Sequence, residues 1–178
     1  MMKKIMLVPI LGISLLLCAC SEKIHDQPAP KPSLSELRHR YIADLRDENV
    51  QVIHVGETMR VVLPSDNAFQ PNSANLTNAY RPILHTIAKL IKTYETVNVK
   101  VAAYSDNVDS LSRQQALTTR QAQVIASYLW ALNINARLTY AVGYNRENPV
   151  ASNGHSGGRA DNRRVEISFR FYPPQTDL

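Results

Sequence analysis

The chain has 178 residues, with 20 Lys and Arg against 15 Asp and Glu, which gives a formal net charge of +5. Its basic residues are dispersed rather than gathered into runs, and no aromatic residues are interleaved with them as they are in a nucleic-acid groove. Composition therefore argues against a nucleic-acid partner, and the length suits one domain with a tail.

The N-terminus has the pattern of a signal peptide, which we predict to cover residues 1–19. Two lysines precede an apolar stretch at residues 6–17, which is shorter than the roughly 20 residues that a helix needs to cross a bilayer. The following Leu-Cys-Ala-Cys at 17–20 resembles the lipobox of bacterial lipoproteins, in which a small residue precedes an acylated cysteine. Cys20 is therefore the predicted lipidation site; the alternative is that both cysteines are merely small apolar residues of the signal core.

This prediction determines what the cysteines can supply. The chain has two of them; one is lost with the signal and the other carries the lipid, so neither an internal disulfide nor a thiolate metal site is expected, and no cofactor is predicted. Ser21 follows the acylated residue, as in lipoproteins of the outer-membrane class. We therefore expect a lipid anchor in the outer membrane and a domain in the periplasm.

The segment after the signal changes character twice. Residues 20–33 contain three prolines among small and polar residues, a composition that predicts an extended, flexible tether. From Leu34 apolar residues recur at helical spacing, with Ser33 or Ser35 available as an N-cap. A short helix through about Asp47 is therefore predicted within the segment 34–49.

The remaining residues, 50–173, alternate between strand and helix patterns, and 174–178 form a short tail. Alternating apolar residues on both sides of Gly56-Glu57 predict a β-hairpin. Further along the chain we predict a helix over 76–91 that Pro82 bends or delays, a strand over 97–101, a helix over 117–132, and strands over 138–142 and 165–171. The predicted fold class is α+β, a mixed β-sheet with helices packed on one face.

Several short motifs in this region carry a resemblance to a known family. They are Leu63-Pro64-Ser65 with Phe69, Ala103-Tyr104-Ser105-Asp106, Gly143-Tyr144-Asn145 followed by Asn148-Pro149-Val150, and Asn162-Arg163-Arg164-Val165-Glu166-Ile167. In this order and spacing they resemble the OmpA-like C-terminal domain over roughly residues 50–171.

The resemblance implies noncovalent binding of peptidoglycan through the diaminopimelate of its stem peptide. In the family an Asp after the central strand takes the amino group of the ligand, and Asp106 matches it. An Arg on the following helix takes the carboxylate. The pairing is chemically sensible, because a zwitterionic head needs one anionic and one cationic partner.

The helix departs from the family pattern at the position of that Arg. Gln121 stands 15 residues after Asp106, where the family has the Arg, and Arg120 stands one residue earlier. One residue on a helix turns a side chain by about 100°, so Arg120 reaches the same ligand only through its long stem. We interpret the two arginines before the last strand, Arg163 and Arg164, as structural partners at its start, and Arg164 is the one of the two that we expect nearer the ligand. These departures predict weak or absent peptidoglycan binding.

Two function classes remain open. One is a wall anchor, with the lipid in the outer membrane and the domain on peptidoglycan. The other is a structural subunit of an envelope machine, whose domain has lost peptidoglycan binding and contacts other secretion-complex proteins. Over its whole length the chain also resembles the OmpA-like lipoprotein of the Dot/Icm type IVB secretion system, which combines both classes.

Enzymatic activity is not expected. Ser152, His155 and Asp161 lie close together in the sequence, but they occupy a Gly-rich stretch that we interpret as a flexible connection without a rigid frame to orient them.

Overall fold

The computed structural model describes residues 30–134 and 136–172. The predicted signal peptide, the lipidation site at Cys20, most of the tether and the C-terminal tail lie outside these residues. The compact unit that begins at Pro32 contains the whole described hydrophobic core. None of the described helices is both long and apolar enough to cross a membrane.

Five helices and five strands form this unit. In chain order they are α1 (Leu34–Asp47), β1 (Gln51–Val55), β2 (Thr58–Pro64), α2 (Ser65–Ala68), α3 (Tyr80–Lys92), β3 (Thr96–Ala103), α4 (Leu111–Ala131), β4 (Ala136–Gly143), α5 (Ser156–Asn162) and β5 (Arg164–Phe171). The strands make one sheet in the order β1-β2-β5-β3-β4, in which β3 and β4 are parallel and the other pairs antiparallel. The predicted α+β class with a mixed sheet is confirmed.

The core lies between the sheet and the two long helices. Alternate residues of the three central strands are fully buried, as the period of two in a half-covered sheet requires. They pack with the apolar stripes of α3 and α4, including Leu84, Ile87, Ile125 and Leu129. The predicted hairpin is confirmed, and Gly56 at its turn has φ +56°, which a residue without a Cβ adopts without strain.

The first helix covers the predicted span. Ser33 caps it through a capping box, in which its hydroxyl accepts from the Glu36 backbone N–H and the Glu36 carboxylate accepts from the Ser33 backbone N–H. Arg38 of α1 donates to the carbonyl of Thr93 and lies over the ring of Tyr94, 4.0 Å from its centroid. These contacts hold α1 against the end of α3.

Three helix predictions need correction. The helix predicted from residue 76 begins at Tyr80 instead, which is the delayed start that Pro82 was predicted to cause; Pro82 lies in the first turn, where no backbone donor is needed. The helix predicted from Leu117 begins six residues earlier, at Leu111. The apolar period did not reveal these residues because the first turns of the helix are polar. The prediction of a flexible connection in the Gly-rich stretch is wrong in part, since residues 156–162 form the helix α5.

The sheet brings three functional segments to one of its ends. Because β2 and β5 are antiparallel with Pro64 opposite Arg164, the end of β2 meets the start of β5. Ala103 at the end of β3 stands opposite Val165 in the same way. The residues that follow β2 and β3 and the residue that precedes β5 therefore converge.

Candidate functional site

A guanidinium between two carboxylates occupies this end of the sheet. Arg163 donates from Nε to Asp66 Oδ1 at 2.7 Å and from Nη2 to Asp66 Oδ2 at 2.6 Å, a bidentate pair. Its Nη1 donates to Asp106 Oδ2 at 2.6 Å. The three residues come from α2, from the loop after β3 and from the residue before β5, so the sheet topology itself assembles the cluster.

Asp106 is held rigidly from several directions. Its Oδ1 accepts from the backbone N–H of Val108 at 3.0 Å, which closes a local turn. Its backbone carbonyl accepts from Nε2 of Gln114 at 3.0 Å, and Gln114 is buried on α4. The Asp106 side chain is one-tenth exposed, whereas those of Arg163 and Asp66 are about a third and a half exposed. Asp106 is thus a fixed carboxylate behind a more accessible ion pair.

A pocket of ≈ 230 Å³ opens beside this cluster. Arg163 and Asp66 lie on one side of it, and α4 contributes Gln121 on another. The amide Nε2 of Gln121 donates to the carbonyl of Ser73 at 3.0 Å, which ties α4 to the loop after α2. Gln121 is buried, with 6% of its surface exposed. The pocket therefore offers a mixture of charged and neutral polar groups.

The charges of the cluster do not balance. Two carboxylates, Asp66 and Asp106, face one guanidinium. The hydrogen bonds with Asp66 raise the pKa of Arg163 above its usual range, burial opposes this rise, and Asp106 adds to it. Arg163 stays protonated at every physiological pH, so the net charge of the three groups is −1 once both carboxylates are ionised.

The structure separates the predicted site residues. Asp106 and Gln121 lie at the site, as expected from their place after β3 and on α4. Arg120 is exposed on α4, makes no hydrogen bond or ion pair within the described residues and does not line the pocket. The expectation for the two consecutive arginines needs correction: Arg163, and not Arg164, contacts Asp106.

Arg164 has a different environment. It is 5% exposed, and its Nε donates to Glu166 Oε1 at 2.8 Å. Its other nitrogens donate to the carbonyls of Asn162 and Asn148, and its guanidinium lies 3.9 Å from the ring centroid of Tyr104. Arg164 faces away from the core, on the side of the sheet opposite to Val165, and does not line the pocket, although Tyr104, which it contacts, does.

Sequence reasoning missed Asp66 entirely. The carboxylate lies 97 residues from Arg163 along the chain, and only its place directly after a strand, in a motif already noted for Pro64 and Ser65, marks it. The Ser152, His155 and Asp161 group is not brought together as a catalytic set: Nδ1 of His155 accepts from the N–H of Gly158 and caps α5. No group of three potential metal ligands occurs in the described parts of the chain.

Comparison with known proteins adds three observations. The model of the OmpA family matches residues 68–163. The probable lipoprotein YiaD of Escherichia coli is 31% identical over 125 residues, which cover 70% of this chain and 57% of YiaD. The peptidoglycan-binding protein ArfA of Mycobacterium tuberculosis is 36% identical over 100 residues, which cover 56% of this chain and 31% of ArfA. The chain thus spans only part of the length of these relatives.

The fold of the chain is also similar to that of solved structures. The cell wall anchor of the T6SS from Pseudomonas aeruginosa superposes with a TM-score of 0.67 at 29% identity, over 80% of this chain and 100% of that one. A putative MotB-like protein from Desulfovibrio vulgaris superposes with a TM-score of 0.68 at 20% identity, over 78% of this chain and 91% of that one, a likeness of fold.

Proposed function

Because this chain belongs to the OmpA family, we propose that its domain binds peptidoglycan in the pocket beside Asp106 and Arg163. The observation that carries the proposal is the partly exposed Arg163 guanidinium, which is held between two carboxylates and lines a pocket. ArfA, a relative, is named for peptidoglycan binding, and one structural neighbour is a cell wall anchor.

The cluster can recognise both ends of a zwitterionic amino-acid head. Asp66 and Asp106 accept hydrogen bonds from an ammonium group, since each carboxylate has about four acceptor positions and accepts two hydrogen bonds within the described residues. Arg163 has five N–H donors, of which three are used within the cluster. One N–H on each Nη remains for an oxygen of the stem peptide. In this proposal Arg163 supplies the cationic contact that the family helix supplies from the position of Gln121.

A more specific proposal concerns the cellular location of the protein and the complex that it anchors. With Cys20 acylated, the protein is an outer-membrane lipoprotein whose periplasmic domain links that membrane to the wall and contributes no catalysis. Its whole-chain resemblance to the Dot/Icm lipoprotein called IcmN or DotK supports a role in anchoring a type IVB secretion core complex. YiaD, a probable lipoprotein, and the T6SS cell wall anchor are relatives of the same general kind.

Co-sedimentation with isolated diaminopimelate-containing sacculi tests the binding. We use the unit from Pro32 to Leu178, which contains the described core. Wild type should pellet with sacculi. Arg163→Ala and Asp106→Asn should each weaken binding by about ten- to a hundredfold, the value of a lost charge-assisted hydrogen bond of about 1.5–3 kcal/mol. Arg120→Ala removes an equal charge from the exposed face of α4 and should leave binding unchanged.

The alternative function gives the opposite outcome. If wild type does not pellet with sacculi, and the full lipoprotein depends on neighbouring envelope proteins for its location, the domain serves as a protein-binding subunit of the machine. Loss of binding in Arg120→Ala, with Arg163→Ala unaffected, would place the ligand on the other face of α4 and contradict the pocket assignment.

A further inference from the structure

We infer that the pocket selects a stem-peptide residue that presents an ammonium group beside a carboxamide, as in amidated diaminopimelate, over the same residue with a free carboxylate. This inference rests on the proposed function, because it names the ligand chemistry of the same pocket. It follows from the charge of the site, from the donors that Arg163 has left, and from the orientation of Gln121.

The charge of the site favours a ligand with a net positive head. Among the described residues that line the pocket, Arg163 is the one cation, and it is already paired with Asp66 and Asp106. An ammonium group relieves the excess negative charge of the cluster. A free carboxylate restores that excess beside a guanidinium that two carboxylates have already neutralised, whereas a carboxamide adds no charge.

Gln121 offers an acceptor to the ligand. Its Nε2 is engaged with the Ser73 carbonyl, and within the described residues its Oε1 accepts no hydrogen bond. The side chain lines the pocket, and 6% of the residue's surface is exposed. The Oε1 atom is not one of the fully enclosed polar atoms of the described residues, so a ligand can reach it. A carboxamide NH₂ supplies a donor to this oxygen, while a carboxylate sets a second acceptor against it.

A carboxamide therefore matches the two sides of the pocket at once. Its carbonyl oxygen accepts from a remaining N–H of Arg163, and its NH₂ donates toward Oε1 of Gln121. The accompanying ammonium group is left for Asp66 and Asp106. An Arg at position 121 has only donors, so it reverses the preference by calling for the carboxylate.

Isothermal titration of two synthetic stem tripeptides tests the inference. Both contain Ala, γ-linked Glu and diaminopimelate, and they differ only in amidation of the carboxylate next to the free amino group. Titration at about pH 6.5 keeps that amino group protonated in both, since α-amino pKa values are near 7.7–8.0. Wild type should bind the amidated tripeptide about tenfold more tightly, the value of one neutral hydrogen bond of up to about 1.5 kcal/mol.

Matched variants on α4 separate a local effect from a general charge effect. Gln121→Arg should bind the free-acid tripeptide more tightly than the amidated one. Gln123→Arg adds the same charge on the exposed face of the same helix and should keep the wild-type preference. Reversal in both variants would show that overall charge, and not Oε1 of Gln121, sets the preference, and it would overturn the inference.

The remaining outcomes distinguish the inference from the proposed function. Equal affinities, or tighter binding of the free acid by wild type, overturn the amide preference and leave peptidoglycan binding in place. Failure of wild type to bind either tripeptide, together with failure to pellet with sacculi, overturns both.

Discussion

Arg163 and Arg164 are consecutive residues of one type, and both pair with carboxylates, but they differ in burial and in the segments that surround them. The Arg163 side chain is about a third exposed, contacts two carboxylates from distant segments and keeps two N–H donors for a ligand. The Arg164 side chain is 6% exposed and is enclosed by Glu166, two backbone carbonyls and the ring of Tyr104. Each arginine uses three of its five N–H donors, so burial, and not residue type or the number of donors in use, separates the binding residue from the structural one.

The neighbouring tyrosine reflects the same difference. Burial is the main cause that raises the pKa of Tyr104, with the nearby Glu166 carboxylate adding to it. Tyr104 stacks on Tyr144 with ring centroids 5.2 Å apart, and Arg164 covers it from another side. The Arg164 cluster is thus a largely buried unit that supports the start of β5, and through Tyr104 it also borders the pocket at which Arg163 lies.

Glu166→Ala should have the largest effect on stability, because it leaves Arg164 buried without its carboxylate. Removing one partner of a buried pair lowers the free energy of unfolding by about 3–5 kcal/mol. The matched variant Asp66→Ala removes the more exposed partner of Arg163 and should lower it by about 1 kcal/mol or less. Urea unfolding followed by circular dichroism measures both. Equal losses would mean that the two clusters do not differ in structural role.

Gly158→Ala should have the next largest effect, because α5 leads into both arginines. A Cβ at Gly158 would overlap the carbonyl oxygen of Ser152, which is backbone and has little room to yield. We expect a loss of about 1–3 kcal/mol, and weaker sacculus binding because Arg163 follows this helix directly.

Gly157→Ala is the matched control for that variant. A Cβ at Gly157 would make only van der Waals contacts, and the nearest atom, Nδ1 of His155, would lie 3.5 Å from it. Since Ala is a better helix former than Gly by about 1 kcal/mol, Gly157→Ala should keep or raise stability. A loss in Gly157→Ala as large as that in Gly158→Ala would contradict the close approach of α5 to the Ser152 carbonyl.

The sequence predicted most of the fold where the hydrophobic period was strong. The hairpin, the first helix and the three later strands have clear alternation or helical spacing, and the structure contains them. Where polar or Gly-rich residues form a helix, no such period exists. The first turns of α4 are stabilised by contacts outside the helix, such as Gln115 Nε2 to the Gly143 carbonyl, and the end of α5 by the bonds of Asn162 with the loop before it, which the apolar period does not contain.

The candidate site was predictable only in part for a related reason. Asp106 and Gln121 were found because the family motif marks their positions. The contact of Arg163 with Asp66 depends on the pairing of β2 with β5, and the register of that pairing is not readable from one sequence. The alternation of Val165 and Ile167 does indicate that Arg164 and Glu166 share the opposite face. This alternation was the available signal against placing Arg164 at the pocket.

Arg60→Ala should have the smallest effect on stability, because it removes the most exposed contact of the Arg164 cluster. Nε of Arg60 lies 3.6 Å from Oε2 of Glu166, and the Arg60 side chain is 51% exposed. Glu166 thus has one enclosed cationic partner and one that water screens. Loss of the screened partner should lower the free energy of unfolding by less than about 1 kcal/mol, measured by the same urea titration. A loss close to that of Glu166→Ala would mean that Glu166 is stabilised chiefly from the solvent side, and the contrast between the enclosed Arg164 cluster and the open Arg163 cluster would then fail.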